Sequence, residues 1–365
     1  MRLRSVSVAV ATLALTAGTA LADIRIAVVG PMTGANASFG DQLKAGADAA
    51  ADDINSQGGV NGERIKIVVA DDACDPRQAV SVANKLVADG ITFVDGHFCS
   101  GSTLPASEVY EEAGVVSLTV STNPEITERG FKLIFRIGGR DDQQGPTASR
   151  YILDHFAGRK TAIIDDKSTF GSGLAAQVKS ALVSAGQPIV MEASINAGEK
   201  DYSALVTRLK EVGTEVLYFG GYHAEAGLIM RQAADLGLKA TLFGGDPLSS
   251  SEFVAIAGPS AEGTLFTFGP DPRKNLDAEA AVEAMRKRDV EPEGWALYSY
   301  GIIQTFAQAL RVAGSVDPQA VADALHRGNF KTVLGTVKFD AKGDNQAPGF
   351  VVYKWSDGKA DYARE

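Results

Sequence analysis

Apolar runs and amphipathic segments alternate along most of this chain, and the alternation indicates its secondary structure. In the N-terminal third, the apolar runs predict strands at residues 24–30, 65–70, 91–94 and 115–120, and the amphipathic segments predict helices at 42–56, 76–88 and 103–113. Strands that are apolar throughout and alternate with helices are typical of parallel sheets with helices packed on both faces. The pattern therefore predicts a doubly wound α/β lobe.

A second run of the same alternation follows. It predicts strands at residues 133–137, 161–165, 189–194, 216–219, 241–244 and 264–268, and helices at 143–156, 173–185, 202–211 and 225–236. The rest of the chain predicts helices at 278–288, 296–313 and 318–326 and strands at 333–339 and 350–355. Because these last elements are too few for a third domain, we expect two lobes, with a ligand between them at the carboxyl ends of the strands.

The first 22 residues have the form of a secretory signal peptide. Two arginines, at positions 2 and 4, precede an apolar run over residues 6–20, which ends in the A-x-A cleavage site of residues 20–22. The run is too short for a convincing membrane span. We therefore predict an exported, soluble mature protein that starts near Asp23.

The composition narrows the choice of partner. The whole chain has a formal net charge of -10, and removing the +2 of the leader arginines leaves -12. An acidic surface disfavours nucleic acid and anionic lipid as partners. The length of 365 residues fits about two domains.

The chain contains two cysteines, Cys74 and Cys99, and each follows a predicted strand. An exported protein meets an oxidising compartment, so one disulfide bond between neighbouring loops is the expected state. A free catalytic thiol is disfavoured because no C-x-x-C motif accompanies either cysteine.

The turn after the strand at 91–94 is the strongest local signal for a ligand. It runs from His97 through Ser100 to Thr103 and contains small and hydroxyl-bearing residues. Small residues let the backbone come close to a ligand, the hydroxyls of Ser100 and Ser102 can donate hydrogen bonds, and the N–H groups of the next helix point at the same place. These features predict a site for a carboxylate. The alternative, that a serine only caps the helix, requires the same residue types and stays open.

Polar or aromatic residues also follow other predicted strands, and the full set is Phe39, Ser100, Val120, Ser121, Thr122, Phe170, Tyr222 and Asp246. The set suits a zwitterion, with Ser100 and Thr122 at its carboxylate and Asp246 at its ammonium, because charge-assisted hydrogen bonds are strong. The aromatic rings would cover an apolar side chain. Each residue also has an ordinary alternative: the phenylalanines in the core, Tyr222 on the surface, and Asp246 in a turn before Pro247.

Signals for catalysis or metal binding are weak. His97 lies near Ser100, but the chain has no G-x-S-x-G nucleophile elbow. The four histidines never stand four positions apart, and the aspartates at positions 71, 72 and 75 lack the pattern of a calcium loop. We therefore predict no catalytic residue, no metal and no cofactor. The rival hypothesis from another class is an exported amide hydrolase with Ser100 or Asp246 as its catalytic group.

Seven longer segments form a more specific set. They are AVVGPMTG at 27–34, FGDQ at 39–42, DDACDP at 71–76, GHFCS at 96–100, DDQQGPTA at 141–148, AGEKD at 197–201 and GGYH at 220–223. In these segments the chain resembles the branched-chain amino-acid (leucine, isoleucine, valine) binding proteins of bacterial ABC importers. The resemblance is close and spans the mature chain.

The resemblance implies a type I periplasmic-binding fold, in which two doubly wound parallel-sheet lobes are joined by a hinge of about three crossover segments. The first lobe would comprise residues 23–140 and 269–345, and the second residues 141–268 and 346–365. The resemblance also implies a disulfide between Cys74 and Cys99, a location in the periplasm and docking on a membrane ABC permease. The oligomeric state stays open, with a monomer as the default for such a carrier.

For the ligand, the resemblance implies that Ser100 and Thr122 hold the substrate carboxylate. Asp246 and the carbonyl of Val120 would take the ammonium, with Tyr222 nearby. The remaining predicted ligand-binding residues are Phe39, Phe98, Cys99, Ser121, Asp141 and Phe170.

Three positions depart from the family pattern. Phe39 and Phe170 stand where the family has tyrosines, and Asp246 stands in place of a glutamate. The lost hydroxyls make the pocket more apolar, and the shorter carboxylate either leaves room at the ammonium or binds it through water. We expect an aliphatic L-amino acid, with leucine, isoleucine and valine first. The alternatives are another small amino acid, γ-aminobutyrate, an amide or an aromatic acid, and a sensing role in place of transport.

Overall fold

The fold is built on two large β-sheets, and the computed structural model describes it for residues 23–346 and 349–363. The strands are β1 (Ile24–Gly30), β2 (Ile65–Asp71), β3 (Phe93–Gly96), β4 (Val116–Thr119), β5 (Ile134–Arg136), β6 (Thr161–Asp165), β7 (Ile189–Ser194), β8 (Val216–Gly220), β9 (Thr241–Gly244), β10 (Leu265–Phe268), β11 (Phe330–Thr332), β12 (Gly335–Val337), β13 (Val351–Ser356) and β14 (Lys359–Tyr362). The α-helices are α1 (Ala37–Ser56), α2 (Pro76–Ala88), α3 (Ser100–Ala113), α4 (Glu125–Glu128), α5 (Asp141–His155), α6 (Thr169–Ser184), α7 (Ser203–Glu211), α8 (His223–Asp235), α9 (Ser251–Ala257), α10 (Glu279–Arg286), α11 (Ala296–Ala313) and α12 (Pro318–Arg327). Short 3₁₀ segments lie at Asp246–Ser249, Gly258–Ala261, Pro272–Lys274 and Leu276–Ala278.

The first sheet has five parallel strands in the order β2-β1-β3-β4-β5. Alternate residues of β1 enter different cores: Ile26 and Val28 pack with residues of α1 and α11, and Ala27 and Val29 pack with residues of α2 and α3. Helices therefore cover both faces of this sheet. The strand is apolar throughout because neither face meets water, as the sequence pattern predicts.

The second sheet has seven strands in the order β14-β13-β10-β9-β8-β6-β7. Strands β6 to β10 run parallel to one another, and β13 and β14 add to one edge as antiparallel strands. The strand predicted at 350–355 thus joins an existing sheet as β13, as expected, and β14 extends the same edge. Two parallel-sheet α/β lobes confirm the predicted fold class.

Successive elements of the described residues change from one half to the other at three points along the chain. The chain leaves the first sheet after β5 and enters the second half at α5, and it returns after β10, where α11 packs against α1. It then crosses from β12 to β13. The last crossing lies beside the first, because Arg136 and Asp344 pair as a β-bridge. These crossings correspond to the predicted hinge segments, and the exact lobe boundaries drawn from the sequence stay predictions.

One predicted strand is wrong. The sequence predicts a single strand over 333–339, but the chain forms an antiparallel hairpin of β11 and β12, with Thr332 opposite Gly335. Gly335 has φ +90, a conformation that glycine adopts readily and that reverses the chain here. Helices α4 and α9 and strand β14 have no counterpart in the sequence prediction.

The helix starts divide into those with a local signal and those without one. Helix α2 begins at Pro76 as predicted, because the Asp75 carboxylate accepts hydrogen bonds from the N–H groups of Arg77 and Gln78 at 2.8 and 2.9 Å. Helices α1, α3 and α6 begin at Ala37, Ser100 and Thr169, earlier than predicted. Their first turns contain small and hydroxyl-bearing residues that resemble a loop.

No helix in the part of the chain that the structure describes combines the length and apolar character needed to cross a membrane. The predicted signal peptide, residues 1–22, lies outside the described residues.

Candidate functional site

A small cavity lies between the two halves, where the carboxyl ends of strands from both sheets meet. It is nearly closed, and the space in it that is open to the centre of a water-sized sphere is only about 10 Å³. The lining residues are Phe98, Ser100, Val120, Ser121, Thr122, Phe170, Tyr222, Asp246, Pro247 and Trp295. Loops at the carboxyl ends of parallel strands are the usual place for a ligand in α/β folds. We take this cavity as the candidate binding site.

Most residues predicted from the sequence line this cavity, and three of them do not. Phe39, Cys99 and Asp141 are absent from the lining, although each adjoins it. Pro247 and Trp295 line it and were missed by the sequence analysis. Trp295 directly precedes α11 and follows no predicted strand, so the search for residues after strands could not find it.

The start of α3 forms one side of the cavity. Ser100 is the first residue of the helix, and its hydroxyl accepts a hydrogen bond of 3.4 Å from the N–H of Asn123. The first N–H groups of a helix have no acceptor within the helix, and together with the helix dipole they attract an anion. The Ser102 hydroxyl is also buried without a hydrogen-bond partner in the described residues. This side of the cavity therefore suits a carboxylate.

The turn that leads into α3 is held from several directions. Cys99 forms a disulfide with Cys74, and their Cα atoms lie 5.5 Å apart. The Thr119 hydroxyl donates to the carbonyl of His97 at 2.6 Å, and the Ser121 hydroxyl donates to the carbonyl of Phe98 at 2.6 Å. Ser121 thus fixes the turn in addition to lining the cavity. Preorganisation of this kind lowers the entropy cost of binding.

His97 has a structural role and is not placed as a catalytic base. Its Nδ1 lies 2.6 Å from Oδ2 of Asp72, and its Nε2 lies 2.9 Å from the hydroxyl of Tyr110. All three side chains are buried. Both ring nitrogens are therefore occupied by partners other than Ser100, which argues against a serine hydrolase arrangement.

Arg136 supports the loop that carries Ser121 and Thr122, and the sequence analysis did not single it out. Its Nη1 donates to the carbonyls of Ser121 and Asn123 at 3.0 and 2.8 Å, and its Nε contacts the Asp344 carboxylate at 2.8 Å. The side chain is completely buried. Asp344 is 208 positions away in the chain, so no local pattern could reveal the pair.

Asp246 forms the opposite side of the cavity. It follows β9 as the first residue of a 3₁₀ segment, its side chain is buried, and its Oδ1 accepts a hydrogen bond of 2.8 Å from Nε2 of Gln144. Burial raises the pKa of Asp246 to about 7, and the hydrogen bond from Gln144 opposes that rise. A buried carboxyl of this kind favours a cationic partner.

Asp141 is a second buried carboxyl next to the cavity, and it interacts with both Thr122 and Asp246. It is the first residue of α5, and its backbone N–H donates to the carbonyl of Thr122 at 2.9 Å. Burial and then the charge of Asp246 raise the pKa of Asp141 to about 8, while the hydroxyl of Thr122 and the charge of Arg136 act in the opposite direction. Asp141 therefore stands next to the lining, as a neighbour of Asp246.

Aromatic rings from both halves enclose the cavity. Phe170 and Tyr222 have ring centroids 5.5 Å apart, and Phe98 lies 5.9 Å from Trp295. Phe39 does not reach the cavity, because it stacks behind Phe98 at 4.5 Å. The centroid of the Phe39 ring lies 6.5 Å from the centroid of the Tyr222 ring in the second half. Phe39 thus joins the two halves, and Phe98 in front of it presents an apolar surface to the cavity.

Two α/β lobes that meet over a small cavity, with a helix N-terminus on one side and buried carboxyls on the other, define a bilobed ligand-binding protein. No group of three or more histidine, cysteine, aspartate or glutamate side chains arranged to hold a metal occurs within residues 23–346 and 349–363. The chain belongs to the periplasmic binding protein family, whose sequence profile matches residues 23–360. This family consists of binding proteins, so the protein is not an enzyme.

Relatives over nearly the full length support this assignment. The chain is 50% identical over 363 residues to a protein of Brucella suis named Leu/Ile/Val-binding protein homolog 1, covering 98% of both chains. Among solved structures, it is similar to the leucine-binding protein LivK of Thermotoga maritima, with TM-score 0.86 and 26% identity over 93% of this chain and 98% of that one. It is also similar to the branched-chain amino acid transporter substrate-binding protein LivJ of Streptococcus pneumoniae in complex with isoleucine, with TM-score 0.84 and 27% identity over 93% and 98% of the two chains.

Proposed function

We propose that this protein captures an aliphatic L-amino acid, with leucine, isoleucine and valine as the expected ligands, and delivers it to a membrane ABC permease. The observation that carries the proposal is the polarity of the cavity. The start of α3 suits a carboxylate, and buried Asp246 on the opposite side suits an ammonium. The names of the Brucella and streptococcal relatives support the same ligand class.

In the proposed complex, the ligand lies across the cavity from one half to the other. The Ser100 hydroxyl and the first N–H groups of α3 bind its carboxylate together with Thr122. The Asp246 oxygen that Gln144 does not occupy accepts a hydrogen bond from the ammonium, and the Val120 carbonyl accepts another. Contacts to both halves stabilise the closed arrangement, because a ligand shifts a hinge equilibrium only through its different affinity for the two states.

The apolar part of the ligand lies among aromatic rings. These rings limit the size of the ligand side chain but distinguish poorly between side chains of similar size. Phe98, Phe170, Tyr222 and Trp295 all line the cavity. A methylene group is worth about 0.8 kcal/mol, and apolar pockets discriminate it by only ~1 to 3 kcal/mol. We therefore expect leucine, isoleucine and valine all to bind.

The proposed working site is the periplasm, with export through the signal peptide of residues 1–22 and cleavage before Asp23. The family name supports the location. A monomer that closes around its ligand and docks transiently on the permease would complete the cycle. A sensing role with the same fold is the alternative, and growth of a deletion strain on the ligand as sole nitrogen source would distinguish the two, because only loss of transport would impair that growth.

Substitution of Asp246 tests the ligand orientation. Asp246→Ala is expected to weaken leucine binding by about 1.5 to 3 kcal/mol, or about 10- to 150-fold in Kd, because a hydrogen bond to a charged group is lost. The measurement is calorimetric titration of mature protein that has been unfolded and refolded to remove bound ligand. Asp154→Ala, which removes an exposed carboxylate from α5, is the matched control and should leave the Kd unchanged.

The same titration separates the possible ligands. An unchanged Kd for Asp246→Ala would remove this residue from the ammonium site. Binding of γ-aminobutyrate or an aromatic acid, with no binding of leucine, isoleucine or valine, would keep a binding role but overturn the proposed substrate.

A further inference from the structure

Asp141 is a buried carboxyl that forms no ion pair within the described residues. Its side chain is 1% exposed, and neither of its oxygens has a partner with good hydrogen-bond geometry among the described residues, although a weak contact of the Thr122 hydroxyl lowers its pKa. Its backbone N–H donates a hydrogen bond to the carbonyl of Thr122, which lines the cavity. A buried carboxylate without donors is costly, and proteins normally supply a cation or keep the group protonated. The structure therefore has to supply either a proton or a cation at this place.

Helix α5 brings Asp141 and Asp246 together. Gln144 lies three residues after Asp141 on the same helix, and its amide nitrogen donates to Asp246 at 2.8 Å. The amide oxygen of Gln144 is also buried without a partner in the described part of the chain, so three acceptor atoms, counting the two oxygens of Asp141, stand against the single unpaired hydroxyl of Tyr218 as a donor. The region thus contains more buried acceptors than donors. An ammonium, which has three donors and a positive charge, would supply what is lacking.

The charged groups around Asp141 do not already neutralise it. On β5, Arg136 acts on Asp141, but its guanidinium is engaged with Asp344 and with two backbone carbonyls. On α5, Asp142 carries the same charge as Asp141 and pairs with Arg140. The other titratable groups that face the two carboxyls are the hydroxyls of Tyr218, Tyr222 and Tyr298. None of these groups offers a free positive charge.

We propose that Asp141 and Asp246 act as an acid pair, which holds one proton while no cation is present and releases it to the solvent when the ammonium of the ligand binds. This proposal rests on the proposed function. Asp246 contacts the ammonium, and Asp141 is a positioning residue that acts through Asp246. The proton leaves one carboxyl for the buffer, and the ammonium takes its place as the neutralising charge.

The directions of the pKa shifts agree with the proposal. Burial raises the pKa of Asp141 to about 8 and that of Asp246 to about 7. At neutral pH without a cation, the pair therefore keeps a proton, since like charges at one site disfavour double ionisation. Leucine binding should then weaken as the pH falls below this range, because the ligand must displace a more firmly held proton.

The test is calorimetric titration of the refolded mature protein with leucine at about pH 7, in buffers with different enthalpies of ionisation. The dependence of the observed heat on the buffer gives the number of protons released. We expect about 0.5 to 1 proton per leucine for the unmodified protein, as linkage requires when one shared proton is displaced. Asp141→Asn keeps the size of the side chain and should reduce the release to half that value or less.

Matched variants and a second measurement separate the outcomes. Asp154→Asn, at an exposed position of the same helix, should release as many protons as the unmodified protein. If leucine binds the unmodified protein with release of fewer than about 0.1 proton, or if Asp141→Asn leaves the release unchanged, the acid pair is overturned while the binding function stands. Failure of the unmodified protein to bind leucine would overturn both. Should Asp141→Asn not fold, the pH dependence of the leucine Kd of the unmodified protein decides alone: a rise of threefold or more in Kd from about pH 8 to about pH 6 supports the pair, and a smaller rise contradicts it.

Discussion

Asp344→Ala is expected to lower the free energy of unfolding by about 3 to 5 kcal/mol, the cost of leaving a buried charge without its partner. The Arg136 side chain is completely buried, and its Nε lies 2.8 Å from Oδ1 of Asp344. The other oxygen of Asp344 contacts Nη1 of Arg140 at 2.6 Å. The hydroxyl of Thr127 donates to the same carboxylate at 2.9 Å. The Asp344 carboxylate thus pairs with two arginines at the place where the first and last crossings between the halves lie side by side.

The charge of Asp344 is maintained by these partners. Burial by itself would raise the pKa of the Asp344 carboxyl, but the charge of Arg136 and the hydrogen bonds from Arg140, Arg136 and Thr127 hold that pKa below its usual value. A depressed folded-state pKa contributes stability at pH values above the unfolded pKa of about 3.9, and this stability is lost as the pH falls through the folded value. The stability difference between Asp344→Ala and the unmodified protein should therefore shrink in strong acid.

Urea unfolding of the ligand-free protein measures the effect. Asp323→Ala is the matched control, because it removes one partner of the exposed Asp323–Arg327 pair and should cost less than about 1 kcal/mol. The double change Arg136→Met/Asp344→Leu should lose less than Asp344→Ala alone, since no unpaired charge remains. A loss for Asp344→Ala as small as that of the control would show that the buried pair does not stabilise the fold.

The same substitution, Asp344→Ala, should also weaken ligand binding. Arg136 donates to the backbone carbonyls of Ser121 and Asn123, which flank Thr122. Without Asp344, the guanidinium is expected to shift and to loosen this loop. We therefore expect a higher leucine Kd for Asp344→Ala than for Asp323→Ala under conditions where both variants are folded.

Replacing both cysteines is expected to have the next largest effect. Cys74→Ser/Cys99→Ser removes a cross-link with a sequence separation of 25, which is worth roughly 3 kcal/mol because the open chain gains conformational freedom when unfolded. For a lobe of this size, the thermal midpoint should fall by about 6 to 12 °C. Differential scanning calorimetry of the ligand-free protein measures this change.

Reduction of the unmodified protein provides the control for the disulfide. A reducing agent should lower its thermal midpoint to that of the double variant and should leave the variant unaffected. The leucine Kd should change less than tenfold, because the hydrogen bonds of His97 to Asp72 and Tyr110 still hold the turn before Ser100. A midpoint within about 2 °C of the unmodified protein would contradict the expected stabilisation.

Local signals explain which elements could be predicted from the sequence. Strand β1 is apolar at nearly every position, and α2 begins with Asp75 as a capping residue and Pro76, so both were predicted with their observed bounds at the start. The hairpin of β11 and β12 was missed because the apolar residues Val333, Val337 and Phe339 gave their segment the pattern of one strand. In the structure, packing against other elements buries these residues. Burial of this kind is decided by neighbouring elements.

The residues of the candidate site also divide into those that a local signal predicts and those whose position depends on packing. Ser100, Thr122, Tyr222 and Asp246 could be predicted because polar residues directly after strands gather at one end of a parallel sheet. Phe39 was assigned to the ligand, but the structure places it behind Phe98. Whether an aromatic side chain reaches a cavity depends on the ring in front of it, and that ring comes from another segment.

The sequence by itself determined the alternation of strands and helices, the capped start of α2 and the polar residues at the strand ends, because each of these signals lies within a few neighbouring positions. Only the tertiary structure decided which charges meet. Gln144 contacts Asp246 across 102 positions, and Arg136 contacts Asp344 across 208. The energy of a buried charge depends on the distance to its partners and on the exclusion of water, and both are set only when distant segments pack together.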